Sequence, residues 1–188
     1  MTDNQGDFTP MVGERIRQKR KELGYSLREL GARANLTASF LSQVENGQCS
    51  PSLSSLQRIA IALEVPMFAF LETAPSPNPV IRAEDRPRLH TSDADIVYEL
   101  LSRDLSGQLM AVLIRIRPGG RRIAEELPKP TDELMYVLKG RLSITLADQT
   151  YTLGPGDSIS YKGRSLREFA AADNEETWVI CCITPPVL

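Results

Sequence analysis

The stretch SLRELGARANLTASFLSQVENG, Ser26 to Gly47, decides how the first part of the chain folds. It reads as two short helices with a tight turn between them. Ser26 is a good N-cap, because its hydroxyl can accept an orphan backbone N–H of the first turn. Leu27, Leu30 and Ala34 then recur on one helical face. Asn35-Leu36 breaks that period and Thr37 caps a second helix, whose apolar residues are Phe40, Leu41 and Val44. Asn46-Gly47 supplies the stop, since a left-handed residue is easily adopted there. Helices this short bury too little alone and need neighbours.

The flanking sequence supplies them. Val12, Ile16 and Leu23 have helical spacing, and Gly24 ends that helix. Ser52 caps a further helix that buries Leu53, Leu56, Ile59, Ala60 and Leu63, and Glu64-Val65-Pro66 closes it. Met67 to Leu71 adds a last apolar turn. The expectation is five short helices forming one all-α unit over residues 11–71, preceded by a disordered N-terminus at 1–10.

The segments RIRQKRKELGYSLRELGARANL, FLSQVENG and PSLSSLQRIAIAL resemble the Xre/Cro/C1-type helix–turn–helix domain, a lambda-repressor-like fold, over roughly the first 70 residues. The resemblance implies a DNA-reading head whose second motif helix enters the major groove. Carried over position by position, it makes Ala38, Ser39 and Gln43 the base-facing residues. Gln43 suits adenine N6 and N7, Ala38 a thymine methyl, and Ser39 either donor or acceptor. Thr37 and Asn46, at the two ends of that helix, are phosphate candidates. Ser26 and Ser52 lie at helix N-termini, where backbone N–H groups and the dipole favour a phosphate. Ser26, Thr37 and Ser52 serve equally well as plain caps. Arg17 belongs to a basic run with Arg15, Lys19, Arg20 and Lys21 that adds to the phosphate field. One head offers few base contacts, so the resemblance implies a homodimer on palindromic double-stranded DNA, with half-sites about 34 Å apart.

The formal net charge of −2, from 22 basic and 24 acidic residues, argues against a DNA-coating protein but not against a local basic patch. The chain has no apolar run of about 20 residues and no signal sequence, so no membrane span is expected. Its three cysteines, Cys49, Cys181 and Cys182, follow no disulfide spacing, which fits a reducing, cytoplasmic setting. Adjacent Cys181 and Cys182 are expected on opposite faces of a strand.

At Glu72-Thr73-Ala74-Pro75-Ser76-Pro77-Asn78-Pro79 three alternating prolines read as an extended linker over 72–80. Beyond it the hydrophobic period changes to two. Strands are expected at 96–101, 109–116, 134–138, 142–146, 151–153, 158–161, 166–169 and 177–183, separated by Gly, Pro, Asp or Asn turns. Many short strands imply a sandwich or a small barrel.

The stretch PTDELMYVLKGRLSITLADQTYTLGPGDSISYKGRSLREF resembles the cupin core, as carried by short regulators with one cupin behind an Xre-type head. Glu133 and Gly140 match the first cupin motif and Gly156-Asp157 the second. The expected fold is therefore two-domain: the all-α head, then an all-β cupin (jelly-roll) barrel at 81–188 with its core at about 105–184. The histidines that hold metal in metal-bearing cupins fall on Leu127, Lys129 and Arg167, and only Glu133 remains. His90, the single histidine, lies outside both motifs. No metal, cofactor or catalytic residue is expected. Lys129, Glu133 and Arg167 should face the interior. They either neutralise one another or meet a small-molecule effector with an anionic group, an amine, amino acid, peptide or similar metabolite. Glu125 and Glu126, neighbours in a loop, read first as solvated carboxylates and otherwise as candidates for an amine end. The competing reading is a cupin enzyme, an isomerase or dioxygenase, tethered to DNA.

Overall fold

The computed structural model describes residues 9–65, 67–71, 78–90, 95–103, 105, 107–124 and 129–186. Leu127, Glu125 and Glu126, residues 1–8 of the expected disordered N-terminus and residues 72–77 of the expected linker lie outside these. The chain divides into two compact units, Met1–Leu71 and Glu72–Leu188.

The first unit holds α1 (Thr9–Glu22), α2 (Leu27–Ala34), α3 (Ala38–Glu45) and α4 (Leu53–Ala62). The expected fifth helix is instead a five-residue 3-10 segment, Met67–Leu71. Following Pro66, it is too short to sustain an α-helical ladder, and 3-10 geometry suits such single turns. The N-terminal expectation also needs correcting, because Thr9 and Pro10 are helical. Proline is tolerated there because a first-turn N–H has no intrahelical partner to lose.

Side-chain caps start the next three helices. Ser26, Thr37 and Ser52 each accept a backbone N–H three residues on, and Asn35 closes α2 at φ 52°. Ile16, Leu30, Leu41, Val44, Leu56, Ile59 and Leu63 are fully buried. Leu27 and Phe40 are only half-buried. Gly13 lets α1 lie directly on the end of α3, since a Cβ there would stand 2.1 Å from the Val44 carbonyl oxygen.

Among the described residues the second unit has ten antiparallel strands in two sheets. They are β1 (Arg88–His90), β2 (Ile96–Leu100), β3 (Met110–Ile116), β4 (Arg121–Ile123), β5 (Asp132–Lys139), β6 (Leu142–Leu146), β7 (Gln149–Leu153), β8 (Ser158–Lys162), β9 (Leu166–Ala171) and β10 (Thr177–Thr184). The six-stranded sheet runs β1-β2-β3-β10-β5-β8 and the four-stranded one β4-β9-β6-β7. Each of the eight expected strands is present within a few residues, and β1 and β4 are additional. The inner faces meet through Met110, Val112, Ile114, Val137, Val179 and Ile183 on the larger sheet and Leu142, Ile144 and Phe169 on the smaller. Ile159, on β8, is half-buried.

Two features mark the outer face of the larger sheet. Glu99, only 2% exposed, is surrounded by Arg115 at 2.9 Å and Arg86 and Arg88 at 3.4 Å each. Arg115 also stacks over Trp178 at 4.2 Å, with Lys139 at 5.5 Å from the same ring. Further along, β5 carries Leu134, Tyr136 and Leu138 outward at 38%, 39% and 44% exposure. A strand apolar on both faces is the pattern of one covered on both sides.

Candidate functional site

Within the helical unit, Leu41 and Val44 anchor α3 in the core, and Glu45 ties it to α1. The Glu45 carboxylate, with 3% side-chain exposure, accepts from Arg20 Nε at 2.6 Å and Nη2 at 2.8 Å, while Arg17 Nε approaches to 3.5 Å. This partner raises the affinity of the Arg20 guanidinium for its proton above the ordinary range. With that side of α3 fixed, Ser39 and Gln43 are exposed on another, and Ala38 at its first turn is half-buried. Small and amide side chains on an accessible helix can contact base edges in the major groove.

The phosphate candidates are placed less uniformly. Arg17 is drawn along the protein surface, donating to Asn46 Oδ1 and lying 3.8 Å from Glu14. Asn46, the C-cap of α3, also donates from Nδ2 to the Ser42 carbonyl at 2.8 Å. Thr37 is exposed and caps α3. Ser52 is half-buried and bonds Ser55 through both backbone and hydroxyl. Ser26 forms a reciprocal cap with Glu29, whose carboxylate accepts the Ser26 N–H at 2.7 Å. That backbone hydrogen bond lowers the Glu29 carboxyl below its usual range, so α2 starts beside a negative charge. Two further cations were not singled out from the sequence. Arg33 stacks over Tyr25 at 4.4 Å, and Arg58 donates to the Asn35 carbonyl at 3.2 Å. Only an aromatic or carbonyl partner distant in sequence distinguishes them.

In the β unit, Glu133 is 6% exposed on β5, with Tyr161 of β8 and Ile183 of β10 as cross-strand neighbours. Thr131 Oγ1 donates to its Oε1 at 2.9 Å. Tyr161 lies against both Glu133 and Cys181, and burial, then these neighbours, push its phenol far above the ordinary range. Burial likewise pushes the Cys181 thiol up, with Glu133 adding to it. The expected network of Lys129, Glu133 and Arg167 is not formed. Lys129 and Arg167 are exposed, and the ion pairs among the described residues leave Glu133 without a cation. Long cationic side chains favour water for their heads when they can reach it. Tyr161 and Cys181 come to Glu133 only through strand register, whereas Thr131 stands two residues before it in the chain.

Cupins of the metal-bearing kind need several N, S or O donors at one point. Among the described residues no group of three or more His, Cys, Asp or Glu side chains is so placed. Lys129 and Arg167 are cations, so neither of these two positions can donate to a metal ion. Also among the described residues, no helix is long and apolar enough to cross a membrane.

Comparison with known proteins agrees with this two-part architecture. Residues 16–70 match the helix–turn–helix family model and residues 112–183 the cupin domain model. The helical part is similar to the HTH-type transcriptional regulator SinR of Bacillus subtilis (strain 168), at 43% identity over 63 residues, 33% of this chain and 57% of that protein. The chain thus matches little more than half the length of this relative. Similarity to the HTH-type transcriptional regulator PuuR of Escherichia coli (strain K12) is lower but extends over both units, 24% identity covering 79% of this chain and 80% of that one. Among solved structures, an HTH_3 family transcriptional regulator from Vibrio cholerae shares the fold with a TM-score of 0.73 at 20% identity, covering 94% of this chain and 96% of that one. Along the chain a segment matching a helix–turn–helix domain, 16–70, thus precedes one matching a cupin domain, 112–183.

Proposed function

We propose that the chain is a cytoplasmic, sequence-specific DNA-binding transcriptional regulator whose cupin domain holds a small-molecule effector. The observation that carries this reading is α3, anchored by Leu41, Val44 and Glu45 while Ser39 and Gln43 stay exposed. Ala38, Ser39 and Gln43 read bases. Thr37, Asn46 and Arg17 lie toward the backbone, as do Ser26 and Ser52 at their helix starts.

A single such head contacts too few bases to select one genomic site, so the working form is a homodimer on a palindromic operator. The outer face of β5 supports a second copy. Next to its exposed leucines lies a groove of about 470 Å³ whose lining combines Leu109 and Leu134 with the charged Asp132, Glu133 and Lys162 and with Tyr161. The effector tunes operator affinity to the extent that it binds the DNA-competent and incompetent states unequally. An isomerase or dioxygenase would need metal donors that the described residues do not bring together.

The test is a mobility-shift titration with the DNA flanking the chain's own coding region. A sequence-selective, salt-sensitive complex is expected, and Gln43→Ala should weaken the preferred site by about tenfold while sparing non-specific binding. No selective complex at low salt would overturn the reading.

A further inference from the structure

The arginines around Glu99 carry more charge and more donors than the fold uses. β2 turns Ile96, Tyr98 and Leu100 to the barrel interior, so Glu99, between the last two, points to the outer face of the larger sheet. It is nonetheless 2% exposed. Arg88 is its direct cross-strand partner on β1, Arg115 stands one diagonal step away on β3, and Arg86 reaches it from just before β1. Three cations thus meet one anion, a surplus of two. Glu84 and Asp85, next to Arg86 in the chain, are exposed, and neither pairs with the cluster among the described residues.

The donors tell the same story. Each guanidinium has five N–H groups. Among the described residues, Glu99 accepts one directed bond, from Arg86 Nη1 at 3.4 Å, while Arg88 and Arg115 approach it through Nε. The Nη groups of Arg88 and Arg115 meet no acceptor among the described residues. All three side chains keep part of their surface in water. Arg115 is also stacked over Trp178 at 4.2 Å, which fixes the plane of its fork before any ligand arrives. A buried carboxylate behind and an aromatic ring beneath hold the cations together against their mutual repulsion.

We propose that this outer face binds a phosphate monoester dianion, its oxygens on the free Nη groups of Arg88 and Arg115 and on Arg86. The surplus of two charges matches a monoester near neutral pH, and three terminal oxygens suit three converging forks. A carboxylate or a phosphate diester brings a single charge. The same group arrives on a phosphorylated metabolite or on a phosphorylated side chain of a peptide. The site lies on the other face of the sheet from the barrel interior and does not depend on the regulator reading.

The experiment is calorimetric titration of the full chain, at fixed ionic strength, with phenyl phosphate and a short peptide carrying one phosphoserine. Diethyl phosphate, acetate and the unphosphorylated peptide are the controls. Phenyl phosphate should saturate one site, at least about tenfold more tightly than diethyl phosphate or acetate. Arg88→Met and Arg115→Met should each weaken it by about tenfold or more. Arg88 is 46% exposed on an edge strand, so its variant is read on a folded chain. Lys162→Met removes an exposed cation from β8, at the opposite edge of the same sheet, and should leave binding unchanged. A phosphopeptide that binds more tightly than phenyl phosphate assigns the source to a protein side chain, and equal or weaker binding assigns it to a metabolite. No saturable binding of phenyl phosphate to the folded chain would overturn the proposal. So would acetate or diethyl phosphate binding as tightly, or Lys162→Met costing as much as Arg88→Met. A mobility shift with Arg88→Met should match the parent. A weakened DNA complex, with diester and monoester bound alike, would give the patch to the nucleic-acid backbone instead.

Discussion

The link between α1 and α3 gives the most quantitative prediction. Glu45→Ala removes two short charge-assisted hydrogen bonds, at 2.6 and 2.8 Å, from an Arg20 side chain that is 12% exposed. Deleting one partner of a buried ion pair costs about 3–5 kcal/mol, because the other charge is left uncompensated. Arg20 Nη1 still donates to the Tyr25 carbonyl at 2.7 Å, which places the expected loss at the lower end, about 3 kcal/mol. For a helical unit of this size the total stability is itself only a few kcal/mol. At roughly 4 °C or more per kcal/mol, its transition should fall by about 12 °C or more. Scanning calorimetry of the full chain should show that early transition and an unmoved later one from the β unit. The companion Arg20→Met/Glu45→Met variant should be less destabilised than Glu45→Ala, since it buries no charge. A loss below about 1 kcal/mol for Glu45→Ala, or an equal fall in both transitions, would refute the argument that this carboxylate couples the two helices.

Four further outcomes follow from the geometry. Gly13→Ala should destabilise the helical unit by about 3 kcal/mol or more in chemical denaturation, because the new methyl overlaps a backbone oxygen that cannot move aside. Glu99→Gln should lower the stability of the β unit by about 3 kcal/mol, as three arginines lose their shared counter-charge, whereas Glu168→Gln, from an exposed pair with Arg121, should change it by less than about 1 kcal/mol. Burial pushes the Tyr98 phenol up to about 12, and Tyr161 and Cys181 are raised as well. The folded state thus disfavours their ionised forms, so the stability of the β unit should hold below their unfolded values and fall as pH rises through about 10 to 12 in alkaline denaturation curves. Glu29 has the opposite sign. Its lowered value means that the α2 cap is complete above the usual carboxylate range and lost only as pH falls below that range, which amide exchange at the start of α2 would detect.

Local rules made much of the helical unit legible. Ser26, Thr37 and Ser52 announce the starts of α2, α3 and α4, and each hydroxyl is found on the N–H those rules assign to it. Alternation marked eight of the strands, but β1 and β4 escaped because RLH and RRI are three residues long and rich in charge. Their strand geometry is imposed by β2 and β9, so only the tertiary partner reveals it. The charged sites were the least legible. Arg17 reads as a cation for phosphate, yet part of its donor capacity goes to Asn46, which is adjacent only after α1 and α3 have packed. Glu133 stood out in the sequence, but Tyr161 and Cys181 become its neighbours through register on two other strands, which no single-segment pattern encodes.

Trp178, held between Arg115 and Lys139, has a practical consequence. It is the chain's single tryptophan, and it belongs to β10. Indole emission excited at the red edge therefore reports on the strand-rich half alone, while the helical half contributes no such signal. Loosening of the cationic sandwich should alter the quantum yield before the strands separate. One unlabelled sample can then be followed optically for each half, with circular dichroism for the helices and fluorescence for the barrel.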